Sequence, residues 1–192
     1  MIYTQNNSVC AIIDPGTEND FSLYSFLREN FLIPQYIILT HHHFDHIWGV
    51  NNLRQLYSQV QIVCSEKCSE MIIDKKKNCS LYYNQEGFVC PPADLIVPEK
   101  QESLLLCNHV LKFMSAPGHS SSGILMEVEG NLFTGDTLIK DEKTVVKLPT
   151  SSKLDLFSTI KYISTLKGRG LTVYAGHGPS FELDEYDLEK AL

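Results

Sequence analysis

Four imidazoles and a carboxylate fall within six residues in the run His41-His42-His43-Phe44-Asp45-His46. The apolar stretch Tyr36-Ile37-Ile38-Leu39 leads into it and Ile47-Trp48-Gly49-Val50 leads out, which places the cluster on the turn between a strand and a helix. Side chains alternate in an extended turn, so His41 and His43 share one side and His42 takes the other. Asp45 and His46 then open the following helix and can reach back to the same point. Imidazole nitrogen and carboxylate oxygen suit a divalent ion such as zinc, with bonds of about 2.0–2.2 Å. The segment is internal and flanked by apolar residues, so it is not an affinity tag, and a merely solvated turn has no use for so many imidazoles.

Three further polar residues share this local context. His119 stands in Ala116-Pro117-Gly118-His119-Ser120, Asp136 follows Leu132-Phe133-Thr134-Gly135, and His177 follows the apolar run Leu171–Tyr174 and Gly176. Each comes after an apolar strand and a glycine, which lets the backbone turn tightly and approach a shared site. Taken singly, either histidine reads as structural. Taken with the cluster, three strand ends delivering His, Asp and His to one rim would complete two metal sites. His109, in Cys107-Asn108-His109-Val110, lies outside this pattern and reads as a surface residue in a hairpin turn. His42, pointing away from the others, is expected to make a structural hydrogen bond.

The elements that must position these residues alternate between strand and helix. Val9–Ile13 reads as a buried strand closed by Asp14-Pro15-Gly16, and 19–30 as a helix with Phe21, Tyr24 and Leu27 on one stripe. Tyr36–Leu39 is a strand, Ile47–Leu56 a helix and Val60–Val63 a strand. The second half has strands at Leu104–Cys107, Leu111–Ser115, Ile124–Val128 and Asn131–Thr134, the last two joined at Glu129-Gly130. An amphipathic helix over Leu154–Leu166 and a strand at Leu171–Tyr174 complete an α/β pattern of two packed sheets covered by helices. With no internal repeat and no low-complexity linker, residues 1–192 read as a single domain.

Composition narrows the function classes. A net charge of −7 argues against a nucleic-acid partner, and Lys75-Lys76-Lys77 is the one dense basic run. No stretch approaches the length of apolar residues needed to span a membrane, and the N-terminus lacks the features of a secretory signal, so a cytoplasmic location is expected. The six cysteines form no CxxC pair and read as reduced thiols; Cys64 and Cys68 would share a face if both lay on one helix.

Thr40-His41-His42-His43-Phe44-Asp45-His46 resembles the T-H-x-H-x-D-H signature of the metallo-β-lactamase superfamily. Pro117-Gly118-His119, Thr134-Gly135-Asp136-Thr137 and Gly176-His177-Gly178 resemble its later ligand motifs, in order, and Asp14 its early strand-end aspartate. The likeness covers almost the whole chain and is greatest to small hydrolases of the glyoxalase II (hydroxyacylglutathione hydrolase) type. It implies an αββα four-layer sandwich with two zinc ions at one edge, iron or manganese being alternatives. By motif, His41, His43 and His119 would hold the first ion and Asp45, His46 and His177 the second. Asp136 would bridge both, and Asp14 would orient a ligand by hydrogen bonding. A hydroxide bridging the ions, aligned in part by Asp45, would then cleave a thioester, ester or lactone of a small molecule.

The chain also departs from glyoxalase II. Only fifteen residues follow His177, so the helical C-terminal domain that helps bind glutathione is not among them. No basic and aromatic substrate segment follows Asp136, although Lys140, Lys143 or Lys147 could meet an anionic thioester. Little precedes the strand ending at Asp14, so its edge strand is expected to be missing. The segment 72–98 carries no family motif and reads either as an insertion forming a lid over the site or as a surface excursion. The competing reaction is that of the iron-dependent persulfide dioxygenases, which resemble this pattern and would use His41, His119 and Asp136 on one iron. Their Gly-Cys-Gly-Arg-like segment is not found here. The oligomeric state is not legible.

Overall fold

The structure is a computed structural model that describes residues 1–4, 7–98 and 102–192. In chain order its first half contains β1 (Ile2–Tyr3), β2 (Val9–Ile13), α1 (Phe21–Glu29), β3 (Ile33–Ile38), α2 (Phe44–Ile47), α3 (Val50–Leu56), β4 (Gln61–Cys64), α4 (Glu66–Ile72), α5 (Ser80–Tyr83) and β5 (Leu95–Ile96). The second half contains β6 (Ser103–Leu106), β7 (His109–Ser115), β8 (Ile124–Val128), β9 (Asn131–Gly135), α6 (Lys153–Ser164), β10 (Thr172–Ala175) and β11 (Phe181–Glu182), followed by two 3₁₀ turns. One sheet has the order β1-β2-β3-β4-β5, parallel except for β1. The other runs β11-β10-β9-β8-β7-β6, antiparallel except for the β9–β10 pair.

Strand periodicity of two assigns each side chain to a layer. Cys10, Ile12, Ile37 and Ile62 face outward onto Leu27 of α1, Val50 and Leu53 of α3, and Cys68 and Ile72 of α4. Their neighbours Ala11, Tyr36, Ile38 and Val63 face inward onto Leu104, Leu111, Phe113, Ile124 and Met126 of the second sheet. That sheet's other face, with Leu125, Leu132 and Val173, packs against Leu156, Ile160 and Ile163 of α6. Three apolar layers between four layers of structure make an αββα sandwich, as expected. The helices start where side chains accept orphan amides: Asp20 from Leu23, Ser65 from Cys68 and Ser152 from Asp155. No helix among the described residues is long and apolar enough to cross a membrane.

Several expectations are corrected. The helix expected over Ile47–Leu56 is two short ones, because Gly49 donates its N–H to the Pro15 carbonyl at 2.7 Å instead of continuing the ladder. A β-carbon on Gly49 would lie 2.7 Å from the Thr17 carbonyl oxygen, so the chain must present a bare backbone there. The edge strand expected to be missing is present as two-residue β1. His109 opens β7 and pairs with Glu129 at 2.6 Å; the turn is Cys107-Asn108, with Cys107 in the left-handed region. Cys64 and Cys68 share no helix: one ends β4 and the other lies in α4. All six cysteines are free thiols.

Asp94 ties the first sheet to its helices. It accepts from the Ile62 amide at 2.8 Å and from both terminal nitrogens of Arg54 in α3. Burial works to raise its pKa, but the Arg54 and Ile62 hydrogen bonds outweigh it and hold the carboxyl below its usual value. A depressed folded pKa means stabilisation present above the unfolded value of about 3.9 and lost as pH falls through the lower folded value. Asp94→Ala is therefore expected to cost about 1–3 kcal/mol in urea unfolding at pH 7, and clearly less near pH 3.

Candidate metal centre

Parallel strands of both sheets end at one edge, and the polar residues follow directly. Asp14 leaves β2 with φ 46°, its amide donating to the Ile38 carbonyl at 3.0 Å. Its carboxylate accepts from the Thr40 amide at 2.7 Å and the Thr40 hydroxyl at 2.6 Å, and meets His46 Nδ1 at 2.9 Å. The turn after β3 is thus fastened to the end of β2, with His41, His43 and His46 facing one space. From the second sheet β7 brings His119, β9 brings Asp136 and β10 brings His177. Gly176 allows a close approach: a β-carbon there would lie 2.4 Å from the His46 ring and 2.5 Å from Asp136 Oδ1.

Hydrogen bonds fix which nitrogens carry protons. Asp14 takes the Nδ1 proton of His46, the Thr40 hydroxyl faces Nδ1 of His41 at 3.1 Å, and the Val145 carbonyl accepts from Nδ1 of His119 at 2.9 Å. The Nε2 atoms of those three rings are thereby turned inward. His43 Nδ1 and His119 Nε2 stand 3.0 Å apart, His46 Nε2 and Asp136 Oδ1 3.3 Å, and His177 Nε2 and Asp45 Oδ2 3.4 Å. Ligand atoms about a tetrahedral zinc with 2.0–2.1 Å bonds are separated by about 3.3 Å. Among the described residues, the buried side-chain atoms without a hydrogen-bond partner are Nε2 of His41, His42, His43 and His46, together with Oδ1 of Asp136. Buried polar atoms are costly without partners. Three of these five, Nε2 of His41 and His46 and Oδ1 of Asp136, belong to the same space, where a cation would satisfy them, so the residues fit a metal.

Electrostatics divides the site into two halves. Burial and then neighbouring imidazoles push His41 well below its ordinary pKa and His43 down to about 2; burial also lowers His119. These rings are neutral donors. Burial would lower His46 too, but Asp14 and Asp136 outweigh it and raise it to about 10. Burial would raise Asp136, and the close His46 ring and its charge instead lower it. Three sets have ligand atoms within 4.8 Å of one another: His41, His43 and His119; Asp45, His46 and His177; and Asp14, His41 and His46. Asp14 is already engaged by Thr40, so its role in the third set is to orient. His42 turns away, as expected, to Ser122 Oγ at 2.7 Å, and burial lowers its pKa to about 4.

A cavity of about 350 Å³ opens beside His43, Asp45, His119 and Asp136, walled by Phe44, Cys79, Tyr82, Tyr83, Val145 and Leu148. Tyr83 stacks on Phe44 with centroids 5.0 Å apart and meets Trp48 edge-on at 4.7 Å, and Phe88 stacks on Trp48 at 5.7 Å. Lys140, Lys143 and Lys147, expected to meet an anionic substrate, do not line it. Thr144 explains why: its amide donates to the Ala191 carbonyl and its hydroxyl to the Thr137 carbonyl, and Val145 is the residue presented to the site. Sequence reasoning missed the Val145 carbonyl, which has no side-chain signature, and the clamping role of Thr40, which lay within the motif.

Gly176→Ala forces a methyl group against both His46 and Asp136. Since displacing a reacting group by about 1 Å can cost roughly 100-fold in rate, this variant should retain the fold by circular dichroism and lose about that much metal-dependent activity.

The family model of the metallo-beta-lactamase superfamily matches residues 2–178. A probable metallo-hydrolase of Streptococcus pyogenes serotype M6 is 28% identical over 185 residues, covering 93% of this chain and 78% of that protein. A hydroxyacylglutathione hydrolase of Hamiltonella defensa is 27% identical over 137 residues, covering 71% of this chain and 46% of that one. The chain thus spans about half the length of that relative. Among solved structures, the BLEG-1 B3 metallo-beta-lactamase superposes with a TM-score of 0.84 at 26% identity, over 95% of this chain and 87% of that one. With its ligand-bearing turns falling inside the matched region, the chain belongs to the metallo-beta-lactamase superfamily.

Proposed function

We propose that the chain is a dinuclear metal-dependent hydrolase that cleaves a thioester, ester or lactone of a small molecule. The observation that carries this is a pair of donor sets, His41, His43 and His119 and then Asp45, His46 and His177, with the Asp136 carboxylate close to members of both. Its Oδ1 faces His46 Nε2 at 3.3 Å, while its Oδ2 stands 3.8 Å from His119 Nε2 and 3.7 Å from His177 Nε2. His41, His43 and His119 would hold one ion; Asp45, His46 and His177 would hold the other, with Asp136 between them. Zinc suits the nitrogen-rich donors. Likeness to hydroxyacylglutathione hydrolases supports acyl-ester chemistry.

When bound there, two divalent ions would supply an acidified water and a Lewis acid for the substrate carbonyl. The chain's own contribution is orientation. Asp14 and the Val145 carbonyl hold the imidazole protons of His46 and His119 away from the centre, so that Nε2 of each faces it. Asp45, its Oδ2 3.4 Å from His177 Nε2, would help to hold an ion and orient a water beside it. The His177 side chain is 51% exposed, which leaves this flank open for substrate entry. Tyr82 and Tyr83, from the segment 72–98, wall the cavity, and this supports the lid reading over a plain surface excursion.

A single-iron dioxygenase reading uses only His41, His119 and Asp136 and assigns nothing to the second donor set. On the hydrolase reading, chelator treatment abolishes thioester cleavage and added zinc restores it under nitrogen as well as in air. Asp136→Asn should lower kcat/KM by at least about 100-fold, since loss of even an outer-shell partner costs 10–100-fold. Oxygen consumption with a persulfide substrate, and no hydrolysis, would overturn the assignment.

A further inference from the structure

We infer that the group held beside the metal centre is a neutral apolar chain, the acyl portion of the substrate, and not an anionic moiety; the acyl assignment rests on the hydrolase reading above. Among the described residues that line the cavity there is no lysine or arginine, and Asp45 and Asp136 are carboxylates. An anionic tail reaching along the cavity would therefore meet no lysine or arginine from these residues. The walls are instead apolar, and they stand open to solvent: Tyr82 is 76% exposed, Val145 51% and Leu148 40%. Large apolar side chains held open to water beside a ligand-binding space mark a surface that something apolar covers.

The two walls differ in rigidity. Tyr83 is fixed between Phe44 and Trp48. Tyr82 lies next to it in α5, most of its surface uncovered, and lines the same cavity as Leu148 and Val145. A volume of about 350 Å³ lies at the low end of the roughly 300–1,000 Å³ found for small-molecule sites. At about 30 Å³ for a water-sized group it admits roughly a dozen heavy atoms, which suits a medium straight chain. A carboxyl head at the metals with the chain against Tyr82 and Leu148 satisfies both the polar and the apolar parts of the lining.

Calorimetric titration of the purified protein with straight-chain carboxylates from butanoate to octanoate tests this without any turnover. Affinity should rise about fourfold per added methylene, the equivalent of burying it, and adipate should bind at least about tenfold more weakly than hexanoate. Tyr82→Ala, at an exposed position that leaves the fold intact, should flatten the series, and Leu148→Lys should narrow the gap between adipate and hexanoate. Affinity independent of chain length, or adipate binding as tightly as hexanoate, would overturn the inference. Length-dependent binding without cleavage of any acyl thioester or ester would instead sink the hydrolase reading and leave the apolar pocket standing. Cleavage that favours anionic over neutral acyl groups would do the reverse.

Discussion

Asp14 sits at the end of β2 in the left-handed region and spends one carboxylate on the Thr40 amide, the Thr40 hydroxyl and His46 Nδ1. Everything that makes the edge of the sandwich a site depends on this group. The two Thr40 bonds hold the turn after β3 against the end of β2, which aims His41 and His43. The third fixes a proton on Nδ1 of His46 and turns Nε2 toward Asp136. Hydrogen bonds to a charged group contribute about 1.5–3 kcal/mol each, enough to hold a turn that packing alone leaves undetermined.

The cost of the site is concentrated in the same place. A cluster of neutral imidazoles has its lone pairs turned toward one another, and His43 Nδ1 and His119 Nε2 stand only 3.0 Å apart. Around His46 the carboxylates of Asp14 and Asp136 raise the ring's pKa to about 10, so that a proton serves where a cation fits. Proton and metal thus compete for the same pair of carboxylates, and binding an ion at His46 requires that proton to leave. The sandwich tolerates this because its three apolar layers are completed without any of these residues.

Much of this was legible in the sequence, for physical reasons that differ from element to element. Val9–Ile13 and Ile124–Val128 were found with their observed bounds, because an apolar run ended by a turn residue leaves little freedom. His41, His43, Asp45 and His46 were legible as a cluster straight after an apolar strand, and His119, Asp136 and His177 because each follows an apolar strand and a glycine; the structure brings their side chains to one space. The break at Trp48-Gly49 was not legible. It comes from the Gly49 amide turning to Pro15, thirty-four residues earlier in sequence, and helical periodicity continues through it. The lysines after Asp136 are not among the residues that wall the cavity, and the anchoring of Thr144 to the Ala191 carbonyl, which presents Val145 instead, has no signature in the sequence. Stacking of Tyr83 on Phe44 joins segments far apart in sequence, and no local pattern announces it.

The central claim is that the partnerless lone pairs at this edge are the seats of two ions sharing Asp136. Titration of the chelator-stripped protein with zinc, following stoichiometry and proton release together by calorimetry in buffers of different ionisation enthalpy, tests it most directly. The account predicts two zinc ions per chain, with proton release on filling the site at His46 and one ion or fewer retained by Asp136→Asn. A single bound ion in the unaltered protein, unaffected by the loss of His46 or His177, would contradict it.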